Sequence, residues 1–289
     1  MPSHRSLTPS RGAAILVLTT AFWGSSFVVI KRISPDMPAA PICMARFVIA
    51  AIALSPFVRV DRKTWRYGIE MSTWLFAGYA TQAVALRYTS VNRCAFITGT
   101  YVVFVPLLAA IAGHGVRPSV WTAAIMAICG CGLLCGEGGG PNVGDFWSLA
   151  TAMTWAVYIF RLEAVAARFK PLPLAISQIV PVAVFSGIWS ATAPHHVVEF
   201  HWPALIYLGV AATAATTWLQ AVAQQVVPAP QTAVIFTLEP VFAAGFGFVM
   251  LGERLAVRGI IGAALVIAAA IVSQESGFNE GRSESSQMS

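Results

Sequence analysis

The sequence predicts an all-α integral membrane protein with ten transmembrane helices arranged as two inverted five-helix repeats. The first observation behind this prediction is composition, because the 289 residues are 57% hydrophobic and only 10% charged. Soluble domains carry roughly 25% charged residues. So little charge does not cover a water-facing surface, and lipid must therefore be the solvent for most of the chain. The other two observations are a series of apolar runs and a likeness between the two halves of the chain.

Ten apolar runs are long enough to cross a bilayer, for which a helix needs about 20 residues. The first run ends at Lys31-Arg32 without a small-residue cleavage site, so we interpret it as a retained span rather than a signal peptide. The predicted spans, in chain order, are residues 13–31, 39–58, 68–87, 94–113, 119–136, 145–166, 173–193, 203–222, 230–251 and 257–274.

Short polar connections separate these runs, and several contain proline, which ends helices. They read, in order, SPDMPAAP after the first span, DRKTWR after the second, EGGGPNVGD after the fifth, ARFKPLP after the sixth and APHHVVEFHWP after the seventh.

The distribution of lysine and arginine predicts the orientation in the membrane. The segments on the side of the N-terminus hold eleven of these residues and the opposite loops hold six, while Arg46 lies within a span. Cytoplasmic loops carry the excess of positive charge, so we expect both termini on the cytoplasmic side of the cell membrane. In bacteria this would be the inner membrane. Residues 1–12 then form a cytoplasmic N-terminal segment. The polar residues 275–289 are expected to be a disordered cytoplasmic tail.

Net charge and cysteine content exclude several partners. The charge of +6 comes without a basic stripe and fits the basic loops of a membrane protein, so we expect no nucleic-acid partner. The five cysteines lie in or beside apolar runs, with no histidine or acid next to them inside the bilayer. That pattern indicates packing rather than a metal site, and an odd number argues against a disulfide framework. No metal and no cofactor is expected.

The two halves of the chain match in the order and length of five spans. Residues 19–32 (TTAFWGSSFVVIKR) align with 150–163 (ATAMTWAVYIFRLE), and 94–115 (CAFITGTYVVFVPLLAAIAGHG) align with 232–253 (TAVIFTLEPVFAAGFGFVMLGE). Five is an odd number, so the second half begins on the opposite side of the membrane. Such an inverted repeat suits alternating access around a site near the midplane. We place the first repeat at 13–138 and the second at 145–274.

Four segments in this order carry a resemblance to a known family. They are AFWGSSFVVIK (21–31), ARFVIAAIAL (45–54), ALRYTSVNRCAFITGTYVVFVPLLAA (85–110) and FTLEPVFAAGFGFVMLGERLAVRGIIGAALVIAAAIV (236–272). From about residue 13 to 274 the chain resembles the EamA-type branch of the drug/metabolite transporter superfamily. The resemblance implies ten helices in two inverted repeats and transport of small organic metabolites. The first copy of the LGERL element departs from the pattern, because it reads AGHGVRP with His114, and we interpret that end as structural.

Two charged residues lie near the middle of predicted spans, Arg46 in the second and Glu239 in the ninth. A charge at the bilayer centre costs roughly 2.5–3.5 kcal/mol on insertion scales, so such residues face a wet cavity or a partner. Three interpretations are open: the two residues pair with each other, they line the solute path, or the backbone satisfies each separately. Arg46 would attract a carboxylate or phosphate. Glu239 would face an amine or carry a proton, which makes it the candidate for proton coupling.

Three prolines inside predicted spans are candidate hinges, namely Pro106, Pro181 and Pro240. A proline within a helix leaves the carbonyl four residues earlier, here that of Phe236 for Pro240, without its amide partner and bends the helix. Bending for packing and hinge motion are both open interpretations.

Polar and aromatic residues at similar depth complete the predicted site. The repeat alignment places Trp23 near Trp155, Arg46 on Gln178, and Tyr101 on Glu239 by an offset of 138. Symmetry-related polar positions at mid-depth are where inverted-repeat transporters bind solute, although for each aromatic alone packing is the better explanation. The candidate cavity residues are Trp23, Arg46, Tyr79, Gln82, Tyr101, Trp155, Tyr158, Gln178 and Glu239.

The sequence therefore predicts a secondary transporter that exports a small metabolite or amino-acid-like solute by alternating access, with proton coupling as a hypothesis. We expect no enzyme and no catalytic residue, because paired acidic motifs, H-E-x-x-H and P-loop patterns are missing. An integral-membrane enzyme acting on a lipid or small substrate is the alternative. Its nearest support is the loop cluster His195, His196, His201 and Glu199, which we interpret as plain surface. Small-residue faces at Gly132, Gly136 and 259–270 fit a monomer or a homodimer.

Overall fold

The computed structural model describes residues 7–57, 59–135, 140–193, 199–252 and 256–287. The elements in these ranges are all helices, which confirms the all-α prediction. A 3₁₀ turn (Ser55–Phe57) follows α2, and a π-helical segment (Val210–Ala215) joins α9 to α10. The α-helices are α1 (Pro9–Ile33), α2 (Ala39–Leu54), α3 (Arg62–Ala85), α4 (Val91–Thr98), α5 (Tyr101–Ile111), α6 (Pro118–Cys135), α7 (Val143–Ala166), α8 (Pro171–Thr192), α9 (Trp202–Gly209), α10 (Thr216–Ala223), α11 (Ala229–Phe236), α12 (Glu239–Leu251) and α13 (Val257–Gln287).

Eight helical stretches in the described ranges are long and apolar enough to cross a membrane, so the chain is a multi-pass membrane protein. The apolar helix α2 has only 16 residues, and α3 begins with a charged first turn that contains Arg62, Lys63 and Arg66. These two helices are not among the eight stretches given below. The prediction that the chain crosses the membrane ten times therefore stays a prediction. The eight stretches are Pro9–Ile33, Arg93–Ile111, Pro118–Cys135, Val143–Ala166, Pro171–Thr192, Trp202–Ala223, Ala229–Met250 and Val257–Gln274.

Side chains at the helix starts explain why several helices begin where they do. The amide of Thr64 donates to Asp61 Oδ1 at 2.6 Å, and hydrogen bonds from Thr64 hold the pKa of the Asp61 carboxyl below its ordinary value. Asn142 and Asp145 form a reciprocal capping box at the start of α7. Both devices satisfy amides that have no partner inside the helix.

The last helix differs from the expected disordered tail. Helix α13 continues from Val257 to Gln287, and so covers most of the residues 275–289 that we expected to lack structure. Adding residues to an existing helix costs far less than nucleating one, and the segment contains no proline to stop it. The polar composition of residues 275–289 therefore does not end the helix at residue 274.

Glycines allow a close helix contact between α6 and α13. A Cβ built on Gly262 would lie 2.6 Å from the carbonyl oxygen of Gly130 and 2.7 Å from the amide nitrogen of Leu134. Because both atoms belong to the backbone, neither can rotate away. The two helices therefore pack through their backbones, as small residues allow in membranes.

Replacing Gly262 by alanine is expected to lower the thermal midpoint (Tm) of the purified protein, because overpacking of this kind costs about 1–3 kcal/mol. The matched control is Gly187→Ala in α8, where a Cβ would meet nothing within 4 Å. That change should leave Tm unchanged or raise it, because alanine favours a helix over glycine by about 1 kcal/mol. Equal Tm values for the two variants would contradict the backbone contact.

Candidate functional site

Two helical spans are interrupted near their middle, and the site is built around the interruptions. Helix α4 ends at Thr98 and α5 begins at Tyr101, while α11 ends at Phe236 and α12 begins at Glu239. Tyr101 and Glu239 are thus the first residues of the second half-helices, at the offset of 138 used in the repeat alignment. Broken helices at mid-membrane are tolerated where they are buried in protein or line a cavity.

One of the three prolines, Pro240, directly follows an interruption, and the other two lie inside continuous helices. Pro240 stands in the first turn of α12, and the interruption at 237–238 lies in the turn before it, where a proline leaves the carbonyl of Phe236 without its amide partner. Pro106 and Pro181 are inside the continuous helices α5 and α8, and the interruption of the fourth span comes before Tyr101. The interruption before Pro240 lies where the sequence places a kink, and hinge motion at any of the three stays a prediction.

Aromatic rings from four helices meet next to the second interruption. The Trp23 ring lies 4.9 Å from that of Phe236 and 6.4 Å from that of Trp155, between ring centroids. Trp155 lies 5.6 Å from Tyr79 and 5.7 Å from Tyr158. We call these five residues the aromatic cluster. It joins α1, α3, α7 and α11, and so links the two halves of the chain.

Two glycines bring backbone close to this cluster. A Cβ on Gly78 would lie 3.1 Å from the Trp155 ring, so the ring lies flat against α3. A Cβ on Gly24, the residue after Trp23, would lie 3.0 Å from the carbonyl oxygen of Glu239. Helix α1 therefore crosses α12 at the level of Glu239, and a side chain at Gly24 would separate them.

Arg46 is bound by the π-helical segment rather than by Glu239. Its Nε donates to Thr213 Oγ1 at 2.8 Å and its Nη2 donates to the carbonyl of Ala212 at 2.9 Å. The guanidinium also lies over the ring of Tyr79, 5.2 Å from the centroid, a favourable cation–π contact. Arg46 is only 4% exposed. These bonds use two of its five N–H groups, which leaves three for other acceptors.

The π-helical segment explains how a backbone carbonyl is free for Arg46. Thr213 Oγ1 donates to the carbonyl of Leu208, five residues earlier, at 2.7 Å. A π segment shifts the hydrogen bonding from four residues to five and is frequent at functional sites. It thereby presents Ala212 and Thr213 as acceptors to α2.

Glu239 lies at the start of α12 and its side chain is partly accessible. In the described part of the chain its carboxylate has neither a hydrogen bond nor an ion pair. It lies close enough to Arg46, Tyr79 and Tyr101 to interact with them electrostatically. An unpaired carboxylate beside a cation and phenol groups is a site for a cationic group or a proton.

The remaining predicted residues lie around this centre. The Tyr158 hydroxyl donates to Gln178 Oε1 at 2.9 Å, and both side chains are fully buried. Tyr101 is 7% exposed. Gln82 is half-buried on α3, one turn beyond Tyr79. Tyr158 and Gln178 therefore brace α7 against α8.

The sequence analysis missed several residues of the site. The partners of Arg46 belong to a π segment with no distinct signal apart from the threonines of VAATAATT. A usable signal did exist for the repeat: residues 82–85 and 220–223 both read QAVA, again at an offset of 138. That match would have aligned Gln82 with Gln220.

The loop histidines do not form a metal centre in the described residues. His201 Nε2 lies 3.0 Å from Asp36 Oδ2, while His195 and His196 lie outside the described residues. Across the described ranges, no group of three His, Cys, Asp or Glu side chains is placed to hold a metal ion.

Comparison with known proteins agrees with this architecture. The sequence model of the EamA-like transporter family matches residues 10–136 and again 142–273. An uncharacterized transporter of Archaeoglobus fulgidus is 29% identical over 263 residues, which are 89% of this chain and 83% of that protein. The threonine/homoserine exporter RhtA of Escherichia coli K12 is 24% identical over 269 residues, covering 89% and 88%. A solved crystal structure with 19% identity covers 91% of this chain and 96% of its own, with a TM-score of 0.77, and so shares the fold.

Proposed function

The chain belongs to the EamA-like transporter family of the drug/metabolite transporter superfamily, and from this premise we propose that it exports a small metabolite or amino-acid-like solute by alternating access. The observation that carries the proposal is the meeting of Arg46, unpaired Glu239 and the aromatic cluster at two interrupted helices. The guanidinium of Arg46, the carboxylate of Glu239 and the amphipathic rings together suit a solute that carries a negative group, a positive group and a short apolar part.

The packing of the helices supports two inverted repeats. The family model matches twice, once in each half. Helix α1 packs against α12 as α7 packs against α5, and α2 packs against α9 as α8 packs against α3. Helices α6 and α13, the last of each half, pack against each other. This pairing is what a pseudo-two-fold axis in the membrane plane produces.

The proposed mechanism follows from the placement of the groups. A solute carboxylate is bound by the free N–H groups of Arg46, and an amine by Glu239, between the rings of Trp23 and Trp155. The two halves then rock so that the site faces one side of the membrane at a time. Since the sequence has no ATP-binding motif, the proposed energy source is an ion gradient or the solute's own concentration difference, and Glu239 is the proposed carrier if the ion is a proton.

The name of RhtA indicates where to look for the solute. That exporter acts on threonine and homoserine, and we propose small amino acids of this kind as the first class to test. We propose that the protein lies in the inner membrane with both termini on the cytoplasmic side. It is proposed to be a monomer or a homodimer in the bilayer. An integral-membrane enzyme remains the second candidate function.

Counterflow in proteoliposomes tests the proposal. Purified protein is reconstituted with unlabelled solute inside, and labelled amino acids and amines are added outside one at a time. At least one labelled solute should accumulate transiently above its level in protein-free liposomes. No accumulation of any solute, together with turnover of a lipid by the purified protein, would favour the enzyme instead.

A further inference from the structure

We infer that Thr213 is a positioning residue for Arg46, and that it reserves one edge of the guanidinium, formed by Nη1 and Nη2, for the carboxylate of the solute. The inference deepens the proposed function and rests on it, because the carboxylate of the solute comes from that proposal. Arg46 belongs to the first half of the chain and Thr213 to the second. The edge that recognises the solute is therefore set by a residue of the opposite half.

An arginine side chain has two edges that each donate two parallel hydrogen bonds, one formed by Nε and Nη2 and one by Nη1 and Nη2. In Arg46 the protein itself occupies the first edge. Nε donates to Thr213 Oγ1 at 2.8 Å, and Nη2 donates to the carbonyl of Ala212 at 2.9 Å. The second edge is therefore the one left to bind a carboxylate through two bonds.

The nitrogen at the far end of this second edge, Nη1, touches open space. The hydrogen bonds that Arg46 makes with the described residues come from Nε and Nη2. Nη1 is nevertheless not among the fully buried side-chain atoms that lack a partner in the described ranges, which are the hydroxyls of three threonines. A charged donor at this depth is costly unless an acceptor reaches it, so the open edge of Arg46 is a place for an anionic group.

Aromatic rings stabilise the guanidinium without occupying either edge. The central carbon of the Arg46 guanidinium lies 5.2 Å from the ring centroid of Tyr79 and 5.9 Å from that of Phe47. Such cation–π contacts act on the charge through the ring and accept no N–H bond in the plane of the guanidinium. Since the Tyr79 ring also lies 5.6 Å from that of Trp155, Arg46 is joined to the aromatic cluster while its second edge stays available.

The chemistry of Thr213 suits a positioning role. A hydroxyl has one proton and two lone pairs, and the Thr213 proton already goes to the carbonyl of Leu208 at 2.7 Å. Toward Arg46 the hydroxyl therefore acts as an acceptor. Thr213 Oγ1 and the Ala212 carbonyl are both neutral, so they orient the guanidinium and leave its positive charge uncompensated. A carboxylate in their place would pair with Arg46 and compete with the solute.

A glycine brings the π-helical segment close enough to α2 for this short side chain to reach. A Cβ built on Gly209 would lie 2.6 Å from Ile49 Cγ2 and 3.0 Å from the carbonyl oxygen of Arg46. Gly209 precedes Thr213 by four residues, about one helical turn, and both contact α2. The close packing at Gly209 and the hydrogen bond at Thr213 together fix the segment against the turn that carries Arg46.

Thermal stabilisation of the purified protein by paired probes tests the inference. Each amino acid of the counterflow panel is compared with its carboxamide, in which a neutral group replaces the carboxylate. A ligand that binds the folded state raises Tm with its concentration, which gives a Kd for each probe. In the wild type, at least one amino acid should bind about tenfold or more tightly than its amide, because charge-assisted bidentate bonds are the strong ones. In Thr213→Val this ratio should fall to about twofold or less, and Thr213→Ser, which keeps the hydroxyl, should restore it.

The matched control is Thr216→Val, which removes a buried hydroxyl that donates to the main-chain carbonyl of Thr213 and should keep the wild-type ratio. Tm values without probe establish that each variant is folded, and Thr213→Cys, with a weakly accepting sulfur, serves if Thr213→Val is not. A merely structural role would weaken both probes equally, so an unchanged ratio in Thr213→Val would overturn the inference. A wild type that binds no amino acid more tightly than its amide would overturn it too. Counterflow by the same wild-type preparation decides separately whether the proposed transport holds.

Discussion

Replacing Glu239 by glutamine is expected to preserve solute counterflow and to abolish its acceleration by an imposed pH gradient. Counterflow needs only binding and the change of access, and glutamine keeps the size of the side chain and its acceptor oxygen. A pH gradient acts through a group that takes up and releases a proton during the cycle. Glu239 is the acidic residue at the interrupted ninth span, where we place the solute site.

The measurement compares counterflow with and without a pH gradient in proteoliposomes of matched protein content. Glu199→Gln is the control, because Glu199 is an exposed carboxylate outside the helices and its loss should change neither rate. If Glu239→Gln responds to the gradient as the wild type does, the Glu239 carboxylate is structural and the protein is a facilitator.

Replacing Arg46 by alanine is expected to reduce counterflow at least about tenfold, which corresponds to about 1.4 kcal/mol. The change removes the donor for a solute carboxylate and leaves the Ala212 carbonyl and Thr213 Oγ1 without the bonds they receive from Arg46. Each unsatisfied buried group costs about 1–3 kcal/mol, so Tm should fall as well. Arg46→Lys keeps the charge but not the two directed bonds, and should retain part of the transport.

Arg258→Ala is the control for Arg46, since Arg258 is exposed at the start of α13. It should leave both counterflow and Tm within error of the wild type. A fall in Tm for Arg46→Ala with full counterflow in the folded fraction would assign Arg46 to stability alone. That result would remove the proposed carboxylate contact.

Much of the architecture was predictable because charge and hydropathy are local properties of the sequence. The composition predicted an all-helical chain in lipid, and the described structure confirms it. The repeat alignment paired Trp23 with Trp155, and their rings lie 6.4 Å apart. The alignment paired the two positions by sequence alone, and the structure places both rings in the aromatic cluster. That these rings bind solute stays a prediction.

The rest depends on contacts between distant segments. Nothing near Gly99 distinguishes an interrupted helix from a continuous one, since Pro106, the obvious breaker, lies inside α5. The partners of Arg46 come from a segment 166 and 167 residues away, and its hydrogen bonding is set by tertiary packing. The ion pair between Arg46 and Glu239 was one open interpretation, and the structure gives Arg46 other partners.

Equilibrium binding at the aromatic cluster tests the central claim most directly. The solute that counterflow identifies is bound, in labelled form, to purified wild type, Trp155→Ala and Phe146→Ala. Phe146 is an aromatic residue of the same helix that faces outward and is 68% exposed. We predict at least about tenfold weaker binding for Trp155→Ala, from lost ring contacts of about 1.4 kcal/mol or more, and wild-type binding for Phe146→Ala. Wild-type affinity in a folded Trp155→Ala protein would contradict the site that we propose between the two repeats.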